Sequence, residues 1–323
     1  MEGMPEPLVS VVVSTYERPA QLGRLLAALR AQTLDRGRFE VVVVDNGSGP
    51  ATGELLRLEA ARGGLDLHVA RRDQTLGPSG GRNLGWRAAS APLIAFTDDD
   101  CEPEPEWLEV LLAKASEHPN AIIQGRTCPE SDAPASGNRL LTRTVSIERL
   151  SPQYETCNIA YPRAWLERLG GFDEGFGLRP AGEDTDLAWR AIERGAVTVF
   201  APEAVVRHAV VQLTPGQVIA RATQWGECAR LFARHPRARE ILYRRLFWNV
   251  WHYLLVRSLL ALASPRRLRP LARLVLARHL AELRARAAEA GAGPAWIPYL
   301  VLFDAVETAS MLRGAVRHRT LLL

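Results

Sequence analysis

Three consecutive carboxylates, Asp98, Asp99 and Asp100, stand in the run TDDDCEPEPEWL directly after the apolar segment PLIAF. Adjacent carboxylates repel one another, and crowding them is costly unless a cation lies among them. Hard oxygen donors of this kind suit Mg²⁺ or Mn²⁺ holding a diphosphate. The plain alternative is an acidic turn capping a helix that starts near Glu104; position at the carboxyl end of a strand favours the metal. Two more loops offer hydrogen-bonding groups. STYERP follows one apolar run and DNGSG another, and there Asp45 and Asn46 sit where a side chain could bond a nucleobase or ribose, although DNGSG also reads as an ordinary loop before a helix. In LGPSGGRNLGWRAAS a glycine-rich loop leads to Arg82 and Asn83 at a helix start. Backbone amides, a helix N-terminus and a guanidinium together favour phosphate, with tight packing as the alternative.

The elements that must position these groups alternate. LVSVVVS (8–14) and FEVVVVD (39–45) are nearly unbroken apolar runs of strand length, the pattern of parallel strands buried on both faces. LDLHVA (65–70) and PLIAFT (92–97) predict further strands. Between them, PAQLGRLLAALRAQ and GELLRLEAARG space their apolar residues as helices do. Strand and helix in alternation imply an α/β doubly wound, mostly parallel sheet, whose ligands bind beyond the carboxyl ends of the strands. Gly125–Ser151 has no clear period and is expected to be a long loop. YETCNIAY (154–161) predicts a strand, EDTDLAWRAIERG (183–195) a helix with an acidic start and a glycine stop, and TVFAPEAVVRHAV (198–210) a short apolar segment. Trp107 is expected to be core packing. Beyond about Pro215 the chain is rich in Arg, Leu, Ala and Trp and is expected to be helical. The division expected is 1–212 for the α/β domain and 213–323 for a helical C-terminal region.

Composition narrows the function classes. With 323 residues, 47% apolar and 24% charged, the chain is neither disordered nor of low complexity. Lys114 is its sole lysine, in no P-loop context, so Walker-type phosphate binding and Schiff-base chemistry are excluded. Four scattered cysteines form no CxxC, which argues against zinc ribbons and redox dithiols and for a reducing, cytoplasmic setting. The first residues carry no basic segment followed by an apolar run, so no signal peptide is expected. LFWNVWHYLLVRSLLALA contains Asn249, His252 and Arg257, so it is expected to be amphipathic rather than transmembrane.

STYERP, VVVVDNGSG, GPSGGRNLGWRAAS, FTDDD and GEDTDLAWRAIERG occur in this order and at fitting separations over residues 8–210. In this the chain resembles the family 2 nucleotide-sugar glycosyltransferases of GT-A fold. The resemblance implies that Thr15, Glu17, Asp45, Asn46, Arg82, Asp98 and Asp99 hold the nucleotide sugar. It further implies that Asp100, Asp98 and His208 bind Mg²⁺ or Mn²⁺, and that Asp184, with Glu183 as the alternative, deprotonates the acceptor hydroxyl in an inverting displacement. Without the resemblance, EDTD reads as a helix-dipole cluster worth ~0.3–1 kcal/mol. The sequence has DNGS where the family commonly has DDGS, which leaves the base open. Trp165, Gly171 and Phe172 resemble the acceptor-side turn and are expected to be scaffold.

The implied function is a metal-dependent, inverting glycosyltransferase. The alternatives are a catalytically degenerate nucleotide-sugar-binding protein and a sugar-nucleotide pyrophosphorylase, the latter disfavoured because no lysine stands near the amino end. A nucleic-acid binder fits the pI of about 9.1 but not the acidic clusters. Expected partners are a nucleotide-diphosphate sugar and a glycosyl acceptor, with two open options: a homodimer, and peripheral contact with the inner membrane face through the C-terminal helices. The bland reading of those helices is a cap with solvated arginines.

Overall fold

The computed structural model describes residues 6–130, 138–179 and 181–323 and divides the chain into two compact units. The first comprises the described residues of Met1–Ala133 and Thr144–Ala209; the second those of Pro134–Arg143 and Val210–Leu323.

The first unit starts from two valine-rich strands. In β1 (Val9–Thr15) and β2 (Phe39–Asn46) nearly every residue is buried, because helices cover both faces. α1 (Pro19–Arg30) buries Leu22, Leu25, Leu26 and Leu29, and α2 (Pro50–Arg62) buries Leu56. Next come β3 (Leu67–Arg72), α3 (Gly77–Ala88), β4 (Leu93–Phe96), β5 (Cys101–Pro103), α4 (Trp107–Glu117) and β6 (Ile122–Pro129). After β7 (Thr142–Arg143), which belongs to the second unit, follow β8 (Ile159–Pro162), α5 (Arg163–Leu169), α6 (Glu183–Ile192) and β9 (Thr198–His208). One eight-stranded sheet results, in the order β3-β2-β1-β4-β8-β6-β9-β5. Strands β3, β2, β1 and β4 are mutually parallel, as the apolar runs predict. Antiparallel β8 joins β4 to β6, and the short β5 pairs antiparallel with β9 at the far edge.

Two details differ from the sequence expectation. The expected loop from Gly125 begins as strand: β6 runs on to Pro129 beside β9, with a register shift between Gly125 and Arg126. The rest of that stretch includes residues 131–137, outside the described residues. The strand expected at 154–161 is shorter, because Thr156–Asn158 forms a single 3₁₀ turn. That turn points Asn158 inward, where its amide donates to the Arg126 and Ala204 carbonyls and its oxygen accepts from Trp107 Nε1. Trp107 is fully buried there.

The second unit is helical. β10 (Val211–Gln212) pairs with β7, and α7 (Pro215–Ala222) opens on a capping box in which Thr214 and Gln217 satisfy each other's backbone. α8 (Cys228–Arg234), α9 (Val250–Leu262), α10 (Arg269–Glu289) and α11 (Ile297–Arg317) complete it. Asn249 caps α9 by accepting from the Trp251 and His252 amides. α9 has 13 residues, too short to span a bilayer. Among the described residues one helical segment, Pro294–Arg317, is long and apolar enough to cross a membrane. It carries the buried polar residues Asp304 and Glu307, paired with Arg286 and His252 of the same unit.

Candidate functional site

Register brings the loops together. Thr15 pairs with Asp45 and Val12 with Phe96, so the chain beyond β4 emerges level with the ends of β1 and β2. Thr15 Oγ1 accordingly donates to Asp99 Oδ2 at 2.8 Å. The three aspartates then part company. Asp98 Oδ1 accepts from Arg82 Nη2 at 2.8 Å. Asp99 and Asp100 accept from one nitrogen of Arg18, at 3.0 and 2.8 Å. Asp100 Oδ1 also lies 3.7 Å from His208 Nε2, because β5 and β9 pair Cys101 with His208.

Asp100, Cys101 and His208 form a compact group of metal-capable atoms, all within 4.8 Å of one another; Asp98, turned to Arg82, is not in it. His208 Nδ1 lies 2.9 Å from the Ala209 carbonyl, an interaction in which it donates and which turns Nε2 towards Asp100. A carboxylate beside an imidazole nitrogen suits Mn²⁺ or Mg²⁺. Burial pushes the Cys101 thiol well up, so it stays protonated and is a poor ligand.

On the β1–β2 side, Asp45 is buried; Oδ1 accepts from the Ser48 amide at 2.9 Å, while Oδ2 has no hydrogen-bond partner and lies 3.7 Å from Arg71 Nη1. Glu17 adopts φ 57°, an unusual conformation for a side-chain-bearing residue. Ser48 Oγ holds its amide, and its carboxylate accepts from Gly49 N at the head of α2, fastening STYERP to DNGSG. Asn46 spends both ends of its amide on the glycine-rich loop, accepting from Leu76 N and donating to the Gly77 carbonyl. Gly77 itself has φ 70°, and a Cβ there would meet the Gly177 carbonyl at 2.8 Å. A Cβ on Gly81 would come within 2.1 Å of Ser14 Oγ, so only glycine lets α3 lie this close to β1.

Arg82, on α3, is buried and reaches the second acidic group: Nη1 donates to Glu183 Oε1 at 3.3 Å. Burial pulls its guanidinium down, but Asp98 and Glu183 outweigh that and hold it above its ordinary value. Glu183 and Asp184 head α6. Burial raises both carboxyls, and Asp184 goes well up because Glu183 adds like charge. Burial also pushes Asp99 up to about 6, Asp100 and Asp98 adding to it against Arg18 and Thr15. The turn at Gly171 and Phe172 is tied to α3: Asn83 Oδ1 accepts from Phe172 N and Trp86 Nε1, and Asn83 Nδ2 donates to the Phe172 carbonyl; Trp165 donates to the Asn120 carbonyl.

Sequence reasoning passed over Arg18 although it lies within STYERP. Its only signal is a basic residue just past a strand's carboxyl end, and its partners stand 81 and 82 positions away. Ser48 and Arg71, which frame Asp45, were likewise not singled out.

Residues 10–172 match the family model described as Glycosyl transferase family 2, and residues 95–303 that of Glycosyl transferase family group 2. The chain is 29% identical over 240 residues to the pre-mycofactocin glycosyltransferase of Mycobacterium tuberculosis, covering 71% of this chain and 48% of that protein. It is 30% identical over 277 residues to the validoxylamine A glucosyltransferase of Streptomyces hygroscopicus subsp. jinggangensis, covering 76% of this chain and 64% of that protein. The chain thus spans from about half to about two thirds of these relatives' length. Among solved structures, the mannosyltransferase PcManGT of Pyrobaculum calidifontis, in complex with GDP-Man and Mn²⁺, superposes with a TM-score of 0.59 at 22% identity, over 97% of this chain and 87% of that one. TarS of S. aureus, in complex with UDP, gives 0.54 at 19%, over 96% and 91%. At these identities the likeness is one of fold.

Proposed function

Because the chain belongs to glycosyl transferase family 2, we propose that residues 1–212 act as a GT-A catalytic unit. It moves a sugar from a nucleotide-diphosphate sugar to an acceptor hydroxyl, inverting the anomeric carbon. One observation carries the reading: the buried Arg82 guanidinium bonds Asp98 at the sheet end and Glu183 at the head of α6. It links a loop suited to a diphosphate with an acidic pair suited to a nucleophile, within the span of one bound sugar.

On the donor side, Asp45 Oδ2, buried without a hydrogen bond and 3.7 Å from Arg71 Nη1, is an acceptor suited to a base N–H. Thr15, Glu17 and Asn46 hold the loops around it. Arg82 faces the diphosphate, with Asp98 and Asp99 beside it. Asp100 and His208, with Asp98 adjacent, are the residues that would hold a divalent cation, and such an ion neutralises charge growing on the departing diphosphate. The mannosyltransferase of the same fold holds GDP-Man with Mn²⁺ and TarS holds UDP, so donors of both base types are the ones to test.

Asp184 is the base. Burial, with the like charge of Glu183, raises its carboxyl, the direction that brings a carboxylate towards the pH at which a general base works. Glu183 is committed to Arg82, whereas among the described residues Asp184 Oδ1 accepts from its neighbouring Thr185 amide alone. As the acceptor oxygen bonds to the anomeric carbon, its proton passes to Asp184. The carbon–oxygen bond to the diphosphate breaks, and the electron pair leaves with the nucleotide.

A thermal-shift screen of nucleoside diphosphates and their sugars, with and without Mn²⁺, tests the reading. Metal-dependent stabilisation by one base class is expected, since a ligand that binds only the folded state raises its melting point. If no diphosphonucleoside moves the melting point with Mn²⁺ present, the proposal fails.

A further inference from the structure

From Ile241 to Ala281 the chain carries eight arginines and no acidic residue. All eight arginines are exposed. Within the helical unit this stretch includes α9, the turn after it and the first half of α10; Glu240 and Glu282, just outside it, pair with Arg245 and Arg278, while Asp304 and Glu307 are turned onto Arg286 and His252. Arg266, Arg267, Arg269 and Arg273, around the α9–α10 turn, have no carboxylate partner among the described residues.

The same turn exposes large apolar side chains. Leu260 and Leu262 at the end of α9 are each 67% exposed, and Leu271 and Leu274 on α10 are 59% and 69% exposed. Apolar groups clustered on a surface mark an interaction site. Between the two helices lies a cavity of about 440 Å³ whose walls include Trp251, Tyr253, Arg257, Leu271 and Leu274. The Arg257 guanidinium lies 5.2 Å over the Tyr253 ring. Aromatic rings with a polar edge, leucines and unpaired arginines on one hairpin are the composition that settles at a lipid headgroup boundary.

We propose that the α9–α10 hairpin docks this protein onto an anionic phospholipid bilayer, its leucines entering the acyl boundary and its arginines meeting lipid phosphates. Charge decides among occupants. A second copy would set the four unpaired arginines of the turn against four more, whereas stable protein interfaces are depleted of charge at their centre. A nucleic acid would leave the leucines without a role. The proposal stands independently of the catalytic reading, because none of its residues belongs to the first unit.

Flotation of the full chain with two vesicle types tests it: phosphatidylcholine alone, and phosphatidylcholine with about one third phosphatidylglycerol. Expected are binding to the anionic vesicles only and weakening with added salt. The triple variant R266Q/R267Q/R269Q should lose affinity by roughly two orders of magnitude, as each arginine near such a surface contributes about fivefold. The variant L260S/L262S should also lose binding, while both variants keep the parent's melting temperature and nucleotide response. Absence of binding to anionic vesicles, equal binding to neutral ones, or indifference to the leucine changes would overturn the proposal. So would a change of oligomeric mass in either variant with vesicle binding intact, since the hairpin would then be a contact between copies.

Discussion

Replacing Arg18 by methionine should tighten Mn²⁺ binding. One guanidinium nitrogen stands 3.0 Å from Asp99 and 2.8 Å from Asp100 Oδ2, so a cation that ligates Asp100 competes with it for the carboxylate's charge. The Arg18 side chain is 42% exposed, which screens both pairs. Solvent-screened ion pairs are worth ~0.2–1 kcal/mol each, so two of them sum to about 0.4–2 kcal/mol. Lost competition of that size corresponds to a roughly 2- to 30-fold lower Kd for the metal. Methionine preserves the stem's packing while removing the charge. Calorimetric titration of Mn²⁺ into parent and variant, each confirmed folded by circular dichroism, measures the difference directly. An unchanged Kd would mean that the ion does not use Asp100. A weaker one would mean that Arg18 orients the aspartates for the metal instead of competing with it.

Asp184→Asn should cost transfer about 10²- to 10⁴-fold in kcat, the usual contribution of a general base, while nucleotide-induced stabilisation is retained; unchanged turnover would remove Asp184 from the role. For the metal-free protein, Asp99 rises from its ordinary 3.8 to about 6, so the folded state holds a proton that the unfolded chain releases. Stability contributed by Asp99 is therefore complete below pH ~4 and falls by about 3 kcal/mol as pH rises to ~6. Urea titrations at stepped pH should show Asp99→Asn with a correspondingly flatter profile, and identical profiles would contradict the shift. Arg82→Ala leaves Asp98 and Glu183 without their buried partner and should destabilise the protein by ~3–5 kcal/mol, read as a lower urea midpoint. A midpoint close to the parent's would show that water or backbone compensates them.

The sequence alone determined the layering of the first unit and the sites where chemistry could gather. Valine runs such as 41–44 have no polar face, so they must be buried on both sides, and whatever follows such a strand lies at the sheet's functional edge. The fivefold ordered motif set identified the family on the same local ground. The limits of β6 were less legible, because its Pro- and Thr-containing end is held by pairing with β9 and not by its own propensity. Tertiary structure alone decided the assignments within each motif. Asp98, Asp99 and Asp100 are equivalent as letters, yet one bends to Arg82, one to Thr15 and Arg18, and one towards His208. Asn46 looks like a ligand-facing amide and is spent on Leu76 and Gly77. The reason is geometric: periodicity is a property of a few neighbouring residues, whereas these partners lie up to about a hundred positions apart. They meet only through strand order, register and the close approach of α3 to β1 that Gly81 permits.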